Sequence, residues 1–401
     1  MAALDSLQSA ELWFKFKERF EQDREALSSG YRNYYAALVD NAFYQHAASN
    51  RTIDRLLEKG SAGFSGEKRM NIHRAKYMNH YNLFEYSDAL EQCSLLIADY
   101  KVYIDSAAYH HLENDRKMLE VLTEVPVQRV KKQGDSHIDL VKDKMGLLNI
   151  ALQVNGDTID FLFDTGSSTS FIRRSIAESI GMVIHDVNFE VEGATGQVVI
   201  CDVAVMDRFT IGQIEVEHAV FWVFDDRDVT LPEYDYAVNG AIAFPILRSL
   251  EEFHIVFNQT LFVPGTPQPY HLENLAITGL DPVVAVFHEG DTLPFYYDTG
   301  SAFSSFYRPW YVTHAAMVDT TYEQKEFNIG SLGGVKGFRC YIIDSTELAI
   351  DDRRAMIYDV EAHTEPIYRD AEKVYGNLGQ DFFLQFEKMV ISTSHASVFL
   401  E

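Results

Sequence analysis

The chain has 401 residues, with 34 Lys and Arg against 60 Asp and Glu, for a formal net charge of −26. At about 150 residues per domain, that length makes two or three domains, and 47% hydrophobic with 23% charged residues excludes wholesale disorder. The acidic excess argues against non-specific nucleic-acid or anionic-membrane binding, which need a basic face, and favours a soluble monomer. No apolar run approaches the ~18 residues of a membrane-spanning helix. Cys93, Cys201 and Cys340 cannot make a disulfide framework, and none sits in a C-x-x-C pair. No cationic segment followed by an apolar core opens the sequence, so no export leader is visible.

Residues 1–125 read as helix. Leu12, Phe14, Phe16 and Phe20, then Tyr34, Tyr35, Leu38 and Phe43, fall near helical spacing. Gly60, Gly63 and Gly66 mark an interhelical loop, and Asn50 reads as the N-cap of the segment holding Ile53, Leu56 and Leu57. Ala75–Tyr100 resembles one tetratricopeptide unit, with small Ala75 and Ala89 where paired helices cross, Tyr86 ahead of the second helix, and Phe84 in place of the usual glycine. Such helices form a docking surface for a protein partner and carry no chemistry themselves.

Val125-Pro126 breaks the helical pattern. Residues 126–146 read as a linker or edge strand. From Leu147 the texture becomes short β-type runs, such as LNIALQV, QVVICDVAVM and AVFWVF, with turns at regular spacing. Pro264, Pro267 and Pro269 divide this part in two. The expected domains are 1–125, 147–270 and 271–401.

Two segments of the β-rich part repeat one another. Phe161-Leu-Phe-Asp164-Thr165-Gly166-Ser167 is matched 134 residues later by Phe295-Tyr-Tyr-Asp298-Thr299-Gly300-Ser301. A glycine-bearing apolar echo follows each: Ala237-Val-Asn-Gly240-Ala-Ile-Ala-Phe244 in the first half and Val374-Tyr-Gly-Asn-Leu-Gly379-Gln-Asp-Phe382 in the second. Matching Gly240 with Gly379 puts the echoes 76 and 81 residues after their aspartates. Between motif and echo lies a glycine-bearing hairpin: Gly193-Ala194-Thr195-Gly196 in one half, Gly330-Ser331-Leu332-Gly333-Gly334 in the other.

Two apolar-apolar-Asp-Thr-Gly-Ser motifs, each with its echo, resemble the aspartic proteases, and the short repeat is more similar to two fused retropepsin-type units than to pepsin lobes. Helices ahead of such a tandem also resemble a group of secreted bacterial proteins, which implies a periplasmic or secreted location. The resemblance covers residues 145–401. It implies a bilobal, pseudo-twofold, mainly-β protease behind an all-α, tetratricopeptide-like domain.

The resemblance assigns Asp164 and Asp298 as a catalytic pair sharing one water. Two carboxyls about 3 Å apart cannot both ionise, so one acts as base while the other stays protonated and hydrogen-bonds the scissile carbonyl. Gly166 and Gly300 let the backbone turn closely behind each carboxylate. The resemblance further implies that Thr165 and Thr299 cross-link the two loops, and that the hydroxyls of Ser167 and Ser301 bond the outer carboxylate oxygens. An extended peptide would lie in the cleft, under flaps formed by Gly193–Gly196 and Gly330–Gly334. Ala243 stands where the first echo would usually carry glycine. No metal or organic cofactor is expected, and one chain supplies both aspartates, so activity needs no dimer.

Two other classes fit less well. An actin-like phosphotransferase also uses paired Asp-x-Gly-Ser/Thr turns, but expects long helices after each motif. A binding module with an idle dyad is the other alternative, with the helices recruiting a partner. His110-His111 do not share a helix face, and Asp225-Asp226-Arg227-Asp228 and Asp351-Asp352 lack the spacing of a calcium loop, so they read as solvated turns.

Overall fold

The structure is a computed structural model, and it describes residues 1–58, 63–193, 196–256, 259–367 and 369–401. The chain divides into two compact units: Met1–Gln128 with Ala276–Leu280, and Arg129–Leu275 with Asp281–Glu401.

Among the described residues, seven α-helices build the first unit: α1 (Ala2–Ser9), α2 (Trp13–Asp23), α3 (Ser29–Ala42), α4 (His46–Glu58), α5 (Gly66–Asn82), α6 (Tyr86–Asp99) and α7 (Ser106–Leu122). Phe16, Phe20, Tyr34, Tyr35, Leu38, Ile53 and Leu56 are buried, as an amphipathic reading requires. The hairpin α3–α4 recurs as α5–α6. Tyr44 (φ 63°) and Phe84 (φ 60°) take the left-handed conformation that glycine usually fills after a helix. In both, an N–H reaches back five residues, Gln45 to the Asp40 carbonyl (2.8 Å) and Glu85 to the His80 carbonyl (2.9 Å). Ser49 and Ala89, both wholly buried, take the small-residue position. Gly60 lies outside the described residues. Asn50 is not an N-cap: α4 starts at His46, and the Asn50 side chain accepts a hydrogen bond from Asn79 Nδ2 (2.8 Å) in a buried cluster with Asn41, His46 and Ser49.

The second unit is mainly β. Its first half runs β1 (Arg129–Lys132), β2 (Ser136–Lys142), β3 (Leu148–Val154), β4 (Asp157–Phe163), β5 (Phe171–Arg173), α8 (Arg174–Ser179), β6 (Ile184–Glu192), β7 (Val198–Ile211) and β8 (Ile214–Phe224). It continues through β9 (Thr230–Leu231), β10 (Tyr236–Ala237), β11 (Gly240–Ile242), α9 (Phe244–Arg248), β12 (Glu252–Val256) and β13 (Thr260–Val263). After β14 (Leu275–Thr278), whose Ala276–Thr278 fall in the first unit, the second half holds β15 (Asp281–His288), β16 (Asp291–Tyr297), β17 (Ser305–Phe306), α10 (Arg308–Thr321), β18 (Gln324–Ser331), β19 (Gly334–Ile350) and β20 (Arg353–His363). It ends with β21 (Gly376–Leu378), α11 (Gln380–Phe383), β22 (Lys388–Ser392) and β23 (Ser397–Leu400).

The halves share one strand order. The path β3-β4-β11-β5-β8-β7-β6 of the first is β15-β16-β21-β17-β20-β19-β18 of the second. Matched neighbours run in the same sense: β4–β11 and β16–β21 are parallel, whereas β11–β5 and β21–β17 are antiparallel. This arrangement, with antiparallel hairpins making up most of each half and α10 of 14 residues as its longest helix, differs from the alternating strands and long helices of an actin-like fold.

Of the two readings of residues 126–146, linker or edge strand, β1 fits an edge strand, whereas β2 lies inside the sheet. β1 pairs with β8, and β2 lies between β13 and β3. Ser136, Ile138 and Leu140 alternate inward, a period-2 pattern among charges that composition alone hides. β22, near the C-terminus, crosses back to pair with β12 of the first half.

Candidate active site

Asp164 follows β4 and Asp298 follows β16, strands whose Phe161, Phe163, Phe295 and Tyr297 are all buried. The Asp164 N–H donates to the Ile242 carbonyl (3.0 Å) and the Asp298 N–H to the Leu378 carbonyl (2.9 Å), so each aspartate closes a parallel strand pair. These bonds set the true register of the echoes. Gly240 corresponds to Gly376, three residues before Gly379, and Ala243 to Gly379. A Cβ on Gly240 would meet the Phe161 ring at 2.3 Å and the Phe171 carbonyl at 2.5 Å; on Gly376 it would meet the Phe295 ring at 2.4 Å and the Ser305 carbonyl at 2.3 Å. At Gly379 a Cβ would strike the Phe303 backbone (2.5 Å), whereas the first half carries Ala243 at the matching place.

The two Asp-Thr-Gly loops are bound to each other. Thr165 N–H donates to Thr299 Oγ1 and Thr299 N–H to Thr165 Oγ1, both at 3.1 Å. The Thr165 hydroxyl donates onward to the Tyr297 carbonyl (3.0 Å), and that of Thr299 to the Phe163 carbonyl (2.7 Å). Both threonines are buried, so each bond forms where no water competes for it.

This linkage brings the half-buried carboxyls of Asp164 and Asp298 within hydrogen-bonding reach of each other. Each glycine packs against the opposite aspartate, not only behind its own. A Cβ on Gly166 would stand 2.4 Å from Asp298 Cγ, and one on Gly300 2.9 Å from Asp164 Cγ. Asp164 Oδ1 accepts the N–H groups of Gly166 (2.9 Å) and Ser167 (3.1 Å); Asp298 Oδ1 accepts that of Gly300 (2.7 Å). The serine hydroxyls do not serve the carboxylates. Ser167 Oγ donates to the Thr169 carbonyl and Ser301 Oγ to the Phe303 carbonyl, each at 2.9 Å, because both side chains turn back along their own loops.

Burial raises the Asp164 carboxyl above the ordinary range, against the pull of the Gly166 N–H and the hydrogen bond from Asp298. Burial and then the Asp164 charge hold Asp298 well above that range. The pair therefore retains a proton to higher pH than an ordinary carboxyl would, and that proton belongs to the pair.

Several supports were not legible beforehand. Ser170 Oγ accepts the Ala243 N–H (3.0 Å), and Ser304 Oγ accepts the Gly379 N–H (2.9 Å) while donating to Asp381 Oδ1 (2.6 Å). Gln380 Nε2 donates to the Thr299 carbonyl (2.9 Å). The only signal was the recurrence of hydroxyl residues at matching offsets after each Asp-Thr-Gly.

The glycine-bearing segments are hairpin tips. Ala194 and Thr195 lie outside the described residues; beside them, Gly193 N–H donates to the Gln197 carbonyl at the end of the β6–β7 hairpin (2.8 Å). Gly330 and Ser331 end β18, and Ser331 pairs with Gly334, so Leu332 and Gly333 form the turn of β18–β19. The tips touch: a Cβ on Gly193 would lie 3.1 Å from Leu332 Cβ, and one on Gly333 3.2 Å from Gln197 Cβ. The Asp225–Asp228 cluster anchors rather than solvates. Asp225 Oδ1 accepts from Arg174 Nε (2.8 Å) and Asp226 Oδ1 from the Ser175 N–H (3.0 Å), at the start of α8. Asp351 and Asp352 are exposed in a turn, and His110 and His111 are exposed on α7.

A model of the aspartyl protease family matches residues 150–233. No curated protein matches the chain. Among solved structures, the chain is similar to conglutin gamma, a basic 7S globulin from lupine seeds, at 12% identity over 67% of this chain and 95% of that one, TM-score 0.42. It is similar to the basic 7S globulin from soybean at 11% identity over 67% and 95%, TM-score 0.41. A retropepsin-like aspartic protease from Rickettsia conorii is 18% identical over 34% of this chain and 90% of that one, TM-score 0.23.

Proposed function

We propose that the chain is an aspartic endopeptidase in which Asp164 and Asp298 cleave peptide bonds through one shared water. The observation that carries this reading is the pair of carboxyls brought face to face by the reciprocal Thr165–Thr299 bonds. Asp164, whose Oδ1 accepts the Gly166 and Ser167 N–H groups and which is raised by burial without its neighbour's charge, is the better carboxylate and takes the proton of the attacking water. Asp298, held protonated by burial and by its neighbour's charge, donates to the scissile carbonyl oxygen as it gains charge. The proton taken from water then passes to the departing amine, and the pair returns to a single proton.

An extended peptide is the substrate form that such a cleft accepts, and the touching hairpin tips at Gly193 and Leu332 support a pair of flaps that part to admit it. Since one chain supplies both aspartates, the active species is a monomer. The helical unit is proposed to recruit a protein partner or substrate. Incubating the protein with a peptide library, with and without a statine-type inhibitor that mimics the tetrahedral intermediate, tests the reading. Inhibitor-sensitive cleavage in the monomer peak is expected; cleavage indifferent to the inhibitor, or found only in a dimer peak, overturns it.

A further inference from the structure

A second cluster of reactive side chains lies at the far end of β16. Strands β15 and β16 are joined by the two-residue turn Glu289-Gly290, with His288 opposite Asp291. At ~3.3 Å per residue, the seven residues of β16 put roughly 23 Å of strand between this turn and Asp298. Beside the turn stands His314 of α10. Its ring stacks on Trp310 (centroids 4.2 Å, 14° between planes), which stacks on Phe306 (3.9 Å, 6°), so its orientation is fixed.

The hydrogen bonds decide the tautomers. His314 Nδ1 lies 2.8 Å from the Trp310 carbonyl, and His288 Nδ1 lies 3.2 Å from the Glu347 carbonyl. A carbonyl only accepts, so with Nδ1 as donor the neutral imidazole leaves Nε2 as a bare lone pair. The Thr313 hydroxyl, 2.8 Å from His314 Nδ1, donates to the Trp310 carbonyl and can accept from that ring, as the Thr346 hydroxyl (3.5 Å) can from His288. His314 Nε2 then faces Glu289 Oε2 at 3.2 Å, two acceptors with no hydrogen between them. His288 is 4% exposed, and its Nε2 is buried with no partner. Protonating His314 would relieve the contact with Glu289 but leave His288 Nε2 orphaned. One cation among the three atoms satisfies all of them.

We propose that His288 Nε2, His314 Nε2 and Glu289 hold a divalent transition-metal ion of the zinc class, with water completing a tetrahedron. Two imidazoles and a carboxylate are a borderline-soft donor set that suits zinc over magnesium or calcium. Ligand atoms around tetrahedral zinc stand about 3.3 Å apart. One ring nitrogen from each histidine and a Glu289 carboxylate oxygen lie within 4.8 Å of one another, and the exposed Glu289 side chain is free to swing the remaining distance. The two Nδ1–H···O=C bonds are the backbone anchors that metal-binding histidines commonly use. A recess of about 430 Å³, lined by His288, Glu289, Thr346 and Arg354 among others though not by His314, opens beside two of the three ligands, and Arg354 is held on Glu347 (2.5 Å) rather than on Glu289. Far from the dyad, the ion would staple the β15–β16 turn to α10 and take no part in peptide cleavage.

A tag-free full-length chain, stripped with chelator and titrated with Zn²⁺ by calorimetry, provides the test. Binding of one ion per chain at this site is expected, with a raised melting temperature and no comparable effect of Mg²⁺. His314→Phe, which keeps the stack on Trp310, and Glu289→Gln should each weaken binding by about 10-fold or more. Asp88→Asn, in the separate His80–Glu85–Asp88 cluster, should leave it unchanged. No binding by the parent chain, binding as tight in His314→Phe, or binding lost in Asp88→Asn would overturn the proposal. Peptide cleavage plays no part in any of these readouts, so the metal site and the protease reading stand or fall separately.

Discussion

Thr165 and Thr299 exchange backbone N–H to hydroxyl bonds at 3.1 Å in both directions, 134 residues apart in sequence. Each hydroxyl then donates to the carbonyl before the other loop's aspartate. Position of one carboxyl is thereby tied to position of the other, and the dyad is held by backbone rather than by flexible side chains.

Replacing either threonine with valine keeps the shape but strips an acceptor from one buried N–H and a donor from one buried carbonyl. Each orphaned group costs about 1–3 kcal/mol. Thr165→Val or Thr299→Val should therefore lower the urea midpoint clearly, and the double variant should lose less than the sum, since both act on one network. Full additivity of the two losses would contradict a shared lock.

Glycine at 166 and 300 is set by the opposite carboxyl. Gly166→Ala places a methyl 2.4 Å from Asp298 Cγ, and Gly300→Ala places one 2.9 Å from Asp164 Cγ. Misplacing a reacting group by an ångström costs on the order of 100-fold in rate. Cleavage should fall at least that far in Gly166→Ala and less in Gly300→Ala, with circular dichroism showing the fold retained. Equal, full activity in both variants would show that the carboxyls are not where catalysis occurs.

The proton held by Asp298 has a thermodynamic consequence. Its folded-state affinity is raised well above the unfolded value, so between the two the native state binds more protons and stability falls as pH rises. Asp298→Asn keeps an acceptor for the Gly300 N–H and removes the titration. The variant should be more stable than the parent at pH 7, and the difference should vanish near pH 3, where both carboxyls are protonated in either state. Urea unfolding at the two pH values reads this directly, and a variant less stable at pH 7 would refute it.

Contact between the hairpin tips can be locked. A Cβ on Gly193 lies 3.1 Å from Leu332 Cβ, just short of the ~3.5–4.5 Å of a disulfide, and 2.7 Å from the Leu332 carbonyl, so the tips must part slightly to carry the bond. The native cysteines are all buried, so the pair Gly193→Cys with Leu332→Cys should oxidise cleanly. Cleavage of peptides should stop on oxidation and return on reduction. Undiminished cleavage by the oxidised form would mean that the hairpins do not gate the cleft.

Much of the site could be read in the sequence because its chemistry is local. Asp164-Thr-Gly and Asp298-Thr-Gly are each a strand end and a turn, and neither needs a distant contact to be recognised. What escaped depends on three-dimensional register. The echo of Gly240 is Gly376 and not Gly379, a difference fixed by which carbonyl accepts the Asp298 N–H. Ser167 and Ser301 offer hydroxyls whose direction no pattern reveals, and both turn to their own loops. The α3–α4 hairpin escapes a sequence reading because Tyr44, like Phe84 in the recognised α5–α6 pair, adopts the left-handed turn that glycine normally announces. His288 and His314 come from a strand and a helix, so their convergence has no sequence spacing to signal it.

Cleavage of an inhibitor-sensitive peptide by Asp164→Asn and Asp298→Asn proteins, matched to the parent for fold and purity, tests the dyad most directly. Loss of either carboxyl removes the acid–base partnership, so turnover should drop by at least about 100-fold in each, and by no more in the double variant than in the worse single one. Turnover unchanged in either variant would contradict the proposed catalytic pair.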